Sequence, residues 1–383
     1  MITIKDISEK CGYSPATVSK ALNGYGDINA KTAEQIRKVA AEMHYLPNAA
    51  ARQLKTNTSH NIGVLFVDET MSGLTHEYFA PILNSAKEEL EKAGYDVTFI
   101  SRNIMGEEGT YLEHARYRHC DGILIASVDF EDPQVVELVK SEIPTVTIDY
   151  SFDGHSSVMS DNIEGAYNLI RYLIEMGHRR IGIIHGEMTL VTRKRMNGIR
   201  RALKQYGISI PEEYILEADF HNTKASAEAT KKLMSLETPP TVIMYPDDFS
   251  YLGGMAELEK LGCRIPEDVS VTGYDGIKLS QALRPRLTTW YQDTEKIGRV
   301  SADKLIEEIE EKETCVPEQI PVSGHLLEGR EYYDCFIFAP RAAGVYADVD
   351  TSSGKATVCA TPSISSAGAI TSATEGVTIY YTT

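Results

Sequence analysis

Apolar residues recur at helical spacing in three short segments near the amino terminus. In the first segment Ile4 and Ile7 share a face, and Thr3 with Asp6 has the spacing of a capping box that begins a helix. Gly12 follows as the residue type that most readily adopts a left-handed C-cap. The pattern therefore predicts a helix of about two turns that ends at this glycine.

A second helix is predicted to begin at Ser14 and Pro15, which favour the N-cap and N1 positions. Val18, Ala21 and Leu22 recur at helical spacing and must face inward. The outward side chains are small, hydroxylated or basic, as contact with phosphates and base edges requires. They are Pro15, Ala16, Thr17, Ser19, Lys20 and Asn23. Two helices joined by so short a turn cross steeply, which indicates a helix-turn-helix, with an ordinary surface hairpin as the alternative.

A third helix completes the predicted all-α headpiece. Asn29 is its candidate N-cap, and Ala33, Ile36, Ala40 and Met43 form a stripe that one face would bury.

From Asn61 onward, short β-branched runs alternate with amphipathic segments. This alternation is typical of parallel sheets covered by helices on both faces, and there are enough strands for two doubly wound lobes. The strand candidates are residues 62–68, 95–101, 121–127, 144–150, 180–186, 240–246 and 269–275. The helix candidates include residues 79–93, 162–176, 193–206 and 250–261, which are followed by or end near Gly94, Gly177, Gly207 and Gly262.

Length and charge also favour a divided chain. At 383 residues the chain exceeds one ordinary core and should form two or three domains. Its net charge of -17 argues against a nucleic-acid partner when taken alone. Residues 1–60, however, hold eight Lys or Arg against five Asp or Glu, which gives them about +3 and leaves about -20 for the rest. A basic head on an acidic body indicates DNA contact by one end only.

Two classes of protein are disfavoured by the remaining composition. The chain has neither an amino-terminal apolar run nor an internal 18-residue apolar span, so we expect no secretion signal and no membrane partner. The six cysteines show no CxxC or Cys/His clustering, and we interpret them as reduced thiols of a cytoplasmic protein rather than as a metal site.

Residues 45–65, YLPNAAARQLKTNTSHNIGVL, resemble the hinge of the lactose/galactose repressor family. The segments TIKDIS and SPATVSKALN also resemble that family's first helix and recognition helix. The resemblance extends from Met1 to about Arg330, with the motifs in the family's order and spacing. It implies a homodimeric transcriptional repressor that binds a pseudo-palindromic operator and is controlled by a small ligand.

The resemblance also implies a domain organisation. Residues 1–46 would form the helix-turn-helix domain and residues 47–60 the hinge helix and linker. Residues 61–330 would form a periplasmic-binding-protein-like effector and dimerisation domain of two doubly wound lobes, with three crossovers near residues 158–162, 289–293 and 319–322. Residues 331–383 would be an atypical tail, irregular or β.

Two kinds of DNA contact are implied for the headpiece. The phosphate contacts would be made by Ser14, Thr17 and Asn23, while Pro15, Ala16 and Lys20 would face base edges. Thr3 and Ser19 complete the candidate set. The family frequently has arginine where Lys20 stands. Lysine can reach guanine acceptors but lacks the bidentate fork, so we expect weaker discrimination at that base pair.

The hinge would link ligand to DNA. Asn48 is placed to cap a short helix over residues 49–54, which is too short to be stable alone in water. The resemblance makes Leu54 a wedge between base steps in the minor groove, with Ala51 and Arg52 beside it. A ligand that changes the separation of the two hinges would then favour or oppose DNA binding. A plain alanine-rich linker is the alternative.

Charged residues that end strands are the candidate effector contacts, since ligands of open α/β sheets bind beyond the carboxyl ends of strands. Asp149, Asp247 and Asp275 lie there, as does Asp248, and Arg195 precedes Gly198 by three residues. They resemble the family's effector-contacting positions, although the family often has Asn where Asp247 stands. Helix N-caps and interlobe salt bridges are the alternative role. The candidate aromatic contacts, for which core packing is equally plausible, are Phe79, Phe220, Phe249, Tyr251 and Trp290.

The effector is expected to be a carbohydrate, because carboxylates and an arginine fork can pair with sugar hydroxyls while rings stack on a sugar face. No cofactor is expected. A sugar-binding protein of periplasmic type would share the lobes but needs an export signal. An enzyme would need a catalytic constellation, and His76, His155, His185 and His221 lie in no such motif, so each is interpreted as a surface or core residue.

The tail does not fit the family. Residues 359–383 resemble a fragment of a small β-sandwich module of secreted glycosidases. A fusion, readthrough or assembly error explains this better than a working carbohydrate-binding module, because a truncated repeat cannot close its sheet.

Overall fold

The computed structural model describes residues 2–45, 58–68 and 72–329, together with a two-stranded antiparallel pair, Ser363–Ile364 with Ile370–Thr371. Contacts divide the chain into two compact units, Met1–His60 and Asn61–Thr383. The predicted hinge contacts Asn48, Ala51, Arg52 and Leu54 lie outside the described residues, as does most of the predicted tail. The hinge helix and the nature of the tail therefore stay predictions.

Residues 2–45 form the three predicted headpiece helices, α1 (Ile4–Cys11), α2 (Pro15–Leu22) and α3 (Ala30–Glu42). Their shared core is small and well buried. It consists of Ile7, Val18, Ala21, Ala33, Ile36 and Ala40, with Leu22 and Met43 partly buried beside it.

The predicted helix ends of the headpiece are confirmed. The Thr3 and Asp6 side chains bond each other's backbone N–H groups, as a capping box requires. Gly12 ends α1 with a φ of 76°. Ser14 Oγ accepts from the Thr17 N–H at 3.1 Å and Asn29 Oδ1 accepts from the Lys31 N–H at 2.9 Å, so α2 and α3 each begin at a side-chain cap.

The second unit contains two six-stranded sheets, one in each lobe. The first-lobe strands are β1 (Asn61–Phe66), β2 (Asp96–Phe99), β5 (Gly122–Ala126), β6 (Thr145–Ile148), β7 (Ser156–Ser160) and β13 (Gln319–Val322). The second-lobe strands are β8 (Ile181–His185), β9 (Ile215–Glu217), β10 (Val242–Met244), β11 (Ser270–Asp275), β12 (Thr288–Tyr291) and β14 (His325–Leu327). The first-lobe sheet is parallel throughout, in the order β13-β7-β6-β5-β1-β2. The second-lobe sheet has the order β14-β12-β11-β10-β8-β9, in which β14 alone runs antiparallel to its neighbour. A small hairpin pairs β3 (Asn103–Ile104) with β4 (Glu107–Glu108), and β15 and β16 are the tail pair.

Helices cover the faces of these sheets, as the alternating pattern predicted. They are α4 (Phe79–Lys92), α5 (Tyr111–Tyr117), α6 (Pro133–Val139), α7 (Asn162–Glu175), α8 (Leu190–Gln205), α9 (Thr223–Met234), α10 (Asp248–Lys260), α11 (Lys278–Ala282) and α12 (Thr294–Glu310). Short 3-10 turns occur at Gly73–Thr75 and Glu212–Tyr214. None of the helices in the described ranges is both long enough and apolar enough to cross a membrane.

The seven predicted strands are all present, each one to four residues shorter than the apolar run that predicted it. The predicted helix stops are also confirmed, because Gly94, Gly177, Gly207 and Gly262 adopt φ values between 64° and 95° after α4, α7, α8 and α10. Strands β7, β9, β12, β13 and β14 were not predicted. The chain crosses between lobes after β7, after β12 and after β13, near the three places that the resemblance implied.

Close helix packing fixes the position of the second-lobe site. Gly198 on α8 lies so near α7 that a Cβ atom would overlap the Ile163 carbonyl oxygen. This contact holds the helix that carries Arg195 one turn away against its neighbour.

Candidate ligand cleft and nucleic-acid interface

A cavity of about 650 Å³ opens between the two lobes of the second unit. Its walls come from both lobes, with Tyr78 and Asp149 on the first and Arg195, Phe220 and Asp275 on the second. This volume lies within the range of about 300–1,000 Å³ that small-molecule sites occupy. The cavity is therefore a candidate ligand cleft, and it lies at the carboxyl ends of the strands, where open α/β sheets bind ligands.

Six of the seven predicted effector residues line this cleft. They are Phe79, Asp149, Arg195, Phe220, Asp247 and Asp275. The prediction for Trp290 is not met, because its side chain is only 7% exposed and packs into the second-lobe core with Tyr274. Trp290 lies inside β12, where it and the two residues before it are buried, and not beyond the carboxyl end of the strand.

The Arg195 guanidinium is oriented by its protein contacts. Its Nε donates to Asn162 Oδ1 at 2.8 Å, and its Nη1 donates to the Pro246 carbonyl oxygen at 2.8 Å. The guanidinium carbon lies 3.6 Å from the centroid of the Tyr274 ring, a cation–π distance. Its Nη2 is 3.7 Å from Asp275 Oδ1. The cation is thus fixed at the cleft wall, and the same contacts use up much of its donor capacity.

Asp275 and Asp149 are buried carboxyls on opposite lobes. Burial raises the pKa of Asp275 well above its ordinary range, against the opposing charge of Arg195. Gln292 Nε2 donates to Asp275 Oδ1 at 2.7 Å. Burial also raises the pKa of Asp149, whose Oδ2 accepts from the Tyr78 hydroxyl at 2.8 Å. Each carboxyl therefore has a neutral side-chain donor fixed against it.

Asp247 and Asp248 act mainly within the protein. Asp247 is the N-cap of α10 and accepts from the Ser250 N–H at 2.6 Å, the Ser250 hydroxyl at 2.7 Å and the His221 N–H at 2.9 Å. An acceptor-only side chain suits three donors, which gives a structural reason for Asp where the family often has Asn. Asp248 does not line the cleft. It accepts from the Ile277 N–H and the Thr289 hydroxyl, and burial raises its pKa to about 7.

Three stacked rings join the lobes at the cleft. His76 of the first lobe stacks on His221 of the second at 4.3 Å between centroids, and His221 stacks on Phe249 at 3.8 Å. His221 Nε2 also lies 3.4 Å from Glu77 Oε2. Burial, reinforced by His221, lowers the pKa of His76 to about 4. His76 and His221, which the sequence analysis interprets as surface or core residues, both line the cleft.

Sequence reasoning missed the cleft residues Gln292 and Tyr78, each for a different reason. Gln292 directly follows β12, so the rule that selected Asp149 and Asp275 would have selected it had that strand been predicted. Tyr78, which orients Asp149, precedes a helix instead of ending a strand, and no local signal marks it.

The cleft is also a place of unusual backbone geometry. Ser127, Asp149, His221 and Asp275 all line it, with φ values of 51°, 63°, 57° and 104°. Residues other than glycine rarely adopt this region, and such strain concentrates at functional sites.

The predicted DNA-contacting face of α2 is available on the headpiece. Ser14, Pro15, Ala16, Lys20 and Asn23 are exposed, whereas Thr17 and Ser19 are partly buried. Thr3 is exposed at the start of α1, where its side chain serves the capping box. Lys20 forms an ion pair with Asp27, and Asn23 Nδ2 donates to the Ser19 carbonyl oxygen at 2.6 Å. A surface pair of this kind is weak, so Lys20 can exchange Asp27 for a nucleic-acid acceptor at little cost.

Across the described ranges 2–45, 58–68 and 72–329, no group of three or more His, Cys, Asp or Glu side chains is arranged to hold a metal ion.

Two family models match the chain. The model described as "Bacterial regulatory proteins, lacI family" matches residues 3–48, and that described as "Periplasmic binding proteins and sugar binding domain of LacI family" matches residues 59–329. A curated relative, the HTH-type transcriptional repressor PurR of Vibrio vulnificus (strain CMCP6), is 33% identical over 321 residues, which covers 82% of this chain and 93% of that protein. PurR of Aliivibrio salmonicida is 31% identical over 319 residues, 82% of this chain and 93% of that protein.

Solved structures of similar fold cover most of the chain. The lac repressor dimer bound to operator and the anti-inducer ONPF has a TM-score of 0.70 at 25% identity and covers 85% of this chain and 98% of its own. A complex of the transcriptional regulator CelR with cellobiose has a TM-score of 0.63 at 26% identity, covering 86% and 99%. A LacI-family regulator from Enterococcus faecium with bound ribose has a TM-score of 0.60 at 25% identity, covering 73% and 99%.

Proposed function

The chain belongs to the LacI family of bacterial regulatory proteins, and we propose that the small molecule controlling it is a carbohydrate bound in the cleft between its two lobes. The family makes it a ligand-controlled, DNA-binding transcriptional repressor that acts as a dimer, and not an enzyme. A sugar-binding protein without DNA function is disfavoured by the headpiece match.

The observation that carries the proposal is the convergence of fixed polar groups in one cleft. Asp149 and Asp275 come from opposite lobes, and Arg195 is held between Asn162, Tyr274 and Asp275. Carboxyl oxygens and an oriented guanidinium can pair with sugar hydroxyls, while the Phe79 and Phe220 rings offer apolar faces. The cellobiose and ribose complexes of similar regulators support this ligand class.

We further propose which residues contact the operator. Phosphate contacts fall to Ser14, Thr17 and Asn23, and base-edge contacts to Pro15, Ala16 and Lys20, with Thr3 and Ser19 beside them. Exposure of most of this face supports the assignment. The domains proposed are the headpiece over residues 1–46, the hinge over 47–60, the effector domain over 61–330 and the tail over 331–383. The repressor is proposed to act in the cytoplasm.

The coupling between ligand and operator is proposed to pass through the hinge. Because a short helix is marginal in water, it needs the partner hinge and the minor groove in order to fold. A ligand that binds one lobe arrangement better than the other shifts the hinge separation and thus the operator affinity, with a coupling of about 1–3 kcal/mol.

Operator selection followed by sugar titration tests the proposal. Purified repressor is used to select operators from random DNA, and the selected site is then titrated with protein in the presence of individual sugars. We expect a pseudo-palindromic site and a change in its affinity of about fivefold or more with one sugar. Failure to prefer any palindrome over bulk DNA contradicts the operator proposal, and indifference to every sugar contradicts the effector proposal.

The Leu54→Ala variant tests the hinge separately. We expect it to lose specific operator binding while sugar binding and the thermal unfolding of the effector domain are retained. Equal operator affinity in the wild type and the variant removes the hinge mechanism.

A further inference from the structure

Three buried polar atoms at the cleft have no hydrogen-bond partner among the described residues. They are Asp149 Oδ1, Ser151 Oγ and Gln292 Oε1, and all three residues line the cleft. Buried polar groups in folded proteins are nearly always hydrogen-bonded, so these three atoms of cleft-lining residues have unused capacity to bond a bound molecule.

The chemistry of two of these atoms is fixed by their neighbours. Tyr78 donates its hydroxyl hydrogen to Asp149 Oδ2, which leaves Oδ1 without a partner. The Gln292 amide nitrogen donates to Asp275, so the free end of the Gln292 side chain is its carbonyl oxygen. A carboxylate oxygen and an amide oxygen accept hydrogen bonds. The ligand must therefore supply donors to both lobes, and the Ser151 hydroxyl can follow either role.

The charge of the cleft agrees with this demand. Seven carboxyl side chains line it against two guanidinium groups, those of Arg193 and Arg195. Arg195 is already engaged by Asn162, Pro246 and Asp275. A phosphate or carboxylate placed at Asp149 Oδ1 and Gln292 Oε1 would meet two acceptor atoms and a wall of net negative charge, and both effects oppose its binding.

Burial of Asp149 adds a further reason for a donor ligand. Burial raises the pKa of Asp149, which means that the protein surroundings stabilise the carboxylate less well than water does. A ligand hydroxyl that donates to Oδ1 supplies part of the missing stabilisation. An anion placed at the same atom would increase the deficit.

Apolar walls complete the description of the ligand. Phe130 stacks on Tyr150 at 4.4 Å between centroids, and both line the cleft along with Phe79 and Phe220. Flat apolar walls with a few polar groups suit a sugar ring, whose C–H faces are apolar and whose edge carries hydroxyl donors.

We propose that the effector is a sugar that carries no negative charge, that its hydroxyls donate to Asp149 Oδ1 and Gln292 Oε1, and that the cleft excludes phosphorylated and carboxylated sugars. This inference rests on the proposed function and adds the charge class of the ligand.

A paired sugar panel tests the charge class. Full-length protein is titrated calorimetrically with D-ribose, D-glucose and cellobiose, and with D-ribose 5-phosphate, D-glucose 6-phosphate and D-glucuronate. We expect at least one uncharged sugar to bind, at least tenfold more tightly than its anionic counterpart. Binding of an anionic sugar more tightly than its uncharged counterpart overturns the inference.

The Asp149→Asn variant tests whether the preference for uncharged sugars depends on the Asp149 carboxylate. Tyr78 continues to donate to the side-chain oxygen, so the new amide nitrogen presents donors to the cleft. We expect the uncharged sugar to bind about tenfold more weakly, as loss of a charge-assisted hydrogen bond requires, and the anionic sugars to bind more tightly. Asp153→Asn removes the same charge at an exposed position of the same loop and should change neither affinity. Unchanged affinity for the uncharged sugar in Asp149→Asn overturns the assignment.

Ser151→Ala provides a second measurement without a change of charge. Loss of one hydroxyl should weaken binding of the uncharged sugar about two- to fivefold and leave the anionic sugars binding as weakly as before.

Titration of the operator in the presence of each sugar distinguishes failure of the charge class from failure of the proposed function. If an anionic sugar binds more tightly and shifts operator affinity, the charge class is wrong and the proposed function stands; if no sugar of either set binds or shifts operator affinity, both are wrong.

Discussion

The headpiece and the ligand cleft assemble their functional surfaces in opposite ways. The proposed DNA-contacting residues of the headpiece lie within ten consecutive positions, apart from Thr3, because α2 and its two cap residues carry them. The cleft draws residues from Asp68 to Gln292, which meet only because two sheets present their carboxyl ends to each other. A surface carried by one helix is visible in local sequence, whereas a surface made by chain crossings depends on topology.

The two regions also differ in how their polar groups are satisfied. Headpiece side chains such as Thr3, Ser14 and Asn29 are engaged in helix caps. The cleft keeps buried acceptors such as Asp149 Oδ1 and Gln292 Oε1 without protein partners among the described residues. The first arrangement stabilises a small unit, and the second holds unused binding capacity in a large one.

The largest expected effect comes from truncating a buried side chain in the headpiece core. Ile36 is fully buried in the headpiece, and Ile36→Ala should cost about 2–5 kcal/mol, enough to unfold that unit. We expect loss of operator binding with the effector domain's calorimetric transition unchanged. Ile62→Ala, at a fully buried position of β1, is the reciprocal control and should lower the effector transition instead. Equal shifts of every transition in both variants would contradict the separation of the two units.

Acid should lower the folding stability of the effector domain through protonation of His76. Its pKa of about 4 lies below the ordinary value of 6.5, so unfolded chains bind the proton more readily between these pH values. The associated stability is present above pH 6.5 and is lost as the pH falls to about 4, by roughly 3 kcal/mol.

His76→Phe keeps a ring against His221 and removes this titration. Urea unfolding at pH 6.5 and pH 4 should therefore show a smaller loss of stability in the variant than in the wild type. His325→Phe, at an exposed histidine, should retain the wild-type pH dependence. Parallel pH profiles for His76→Phe and the wild type would count against the role of His76.

Lys20 distinguishes base recognition from general charge in the headpiece. Lys20→Ala should relax the preference at one base pair of the operator by about 1–3 kcal/mol, and Lys20→Arg should sharpen it through a bidentate contact. Lys31→Ala, exposed at the start of α3, should lower affinity for all sequences alike if it has any effect. Binding to single-base operator variants at fixed salt measures both. An unchanged preference in Lys20→Ala would show that this residue does not read a base.

The smallest expected effect is the loss of one helix cap. Asn29→Ala removes the acceptor for the Lys31 N–H and should lower headpiece stability by about 1 kcal/mol. Glu34→Ala, exposed on the same helix, should stay within about 0.5 kcal/mol of the wild type. Thermal denaturation of the headpiece measures both effects. Equal melting temperatures for Asn29→Ala and the wild type would show that packing against the other helices, and not the Asn29 cap, fixes the start of α3.

Local sequence predicted the elements that are continuous and apolar. Strand β5 is apolar and buried along its length, and it was predicted. Strand β7, SSVMS, is equally buried although it carries three serines, and the Ser156 hydroxyl bonds Glu308, which lies 152 positions away in the sequence. No local pattern reveals that such a segment will be buried, because the partner decides it.

The same limit explains which residues of the ligand cleft could be predicted from the sequence. Strand ends led to Asp149, Asp247 and Asp275, because each follows a strand that was predicted. Gln292 could not be predicted by this rule, because β12, the strand that it follows, was not predicted. The assignment of Trp290 to the cleft fails because aromatic character alone does not distinguish a residue buried within a strand from one that lies beyond its end.

The left-handed backbone at Ser127, Asp149, His221 and Asp275 constrains how this repressor can be engineered to respond to a new compound. Each such position stores about 1–3 kcal/mol of strain that the present side chain and its neighbours tolerate. A mutant library that randomises them would lose most of its members to misfolding before any were screened. Diversity placed at Glu131, Met188 and Phe220, which face the same cavity from ordinary backbone, would reach the incoming molecule and leave the scaffold intact.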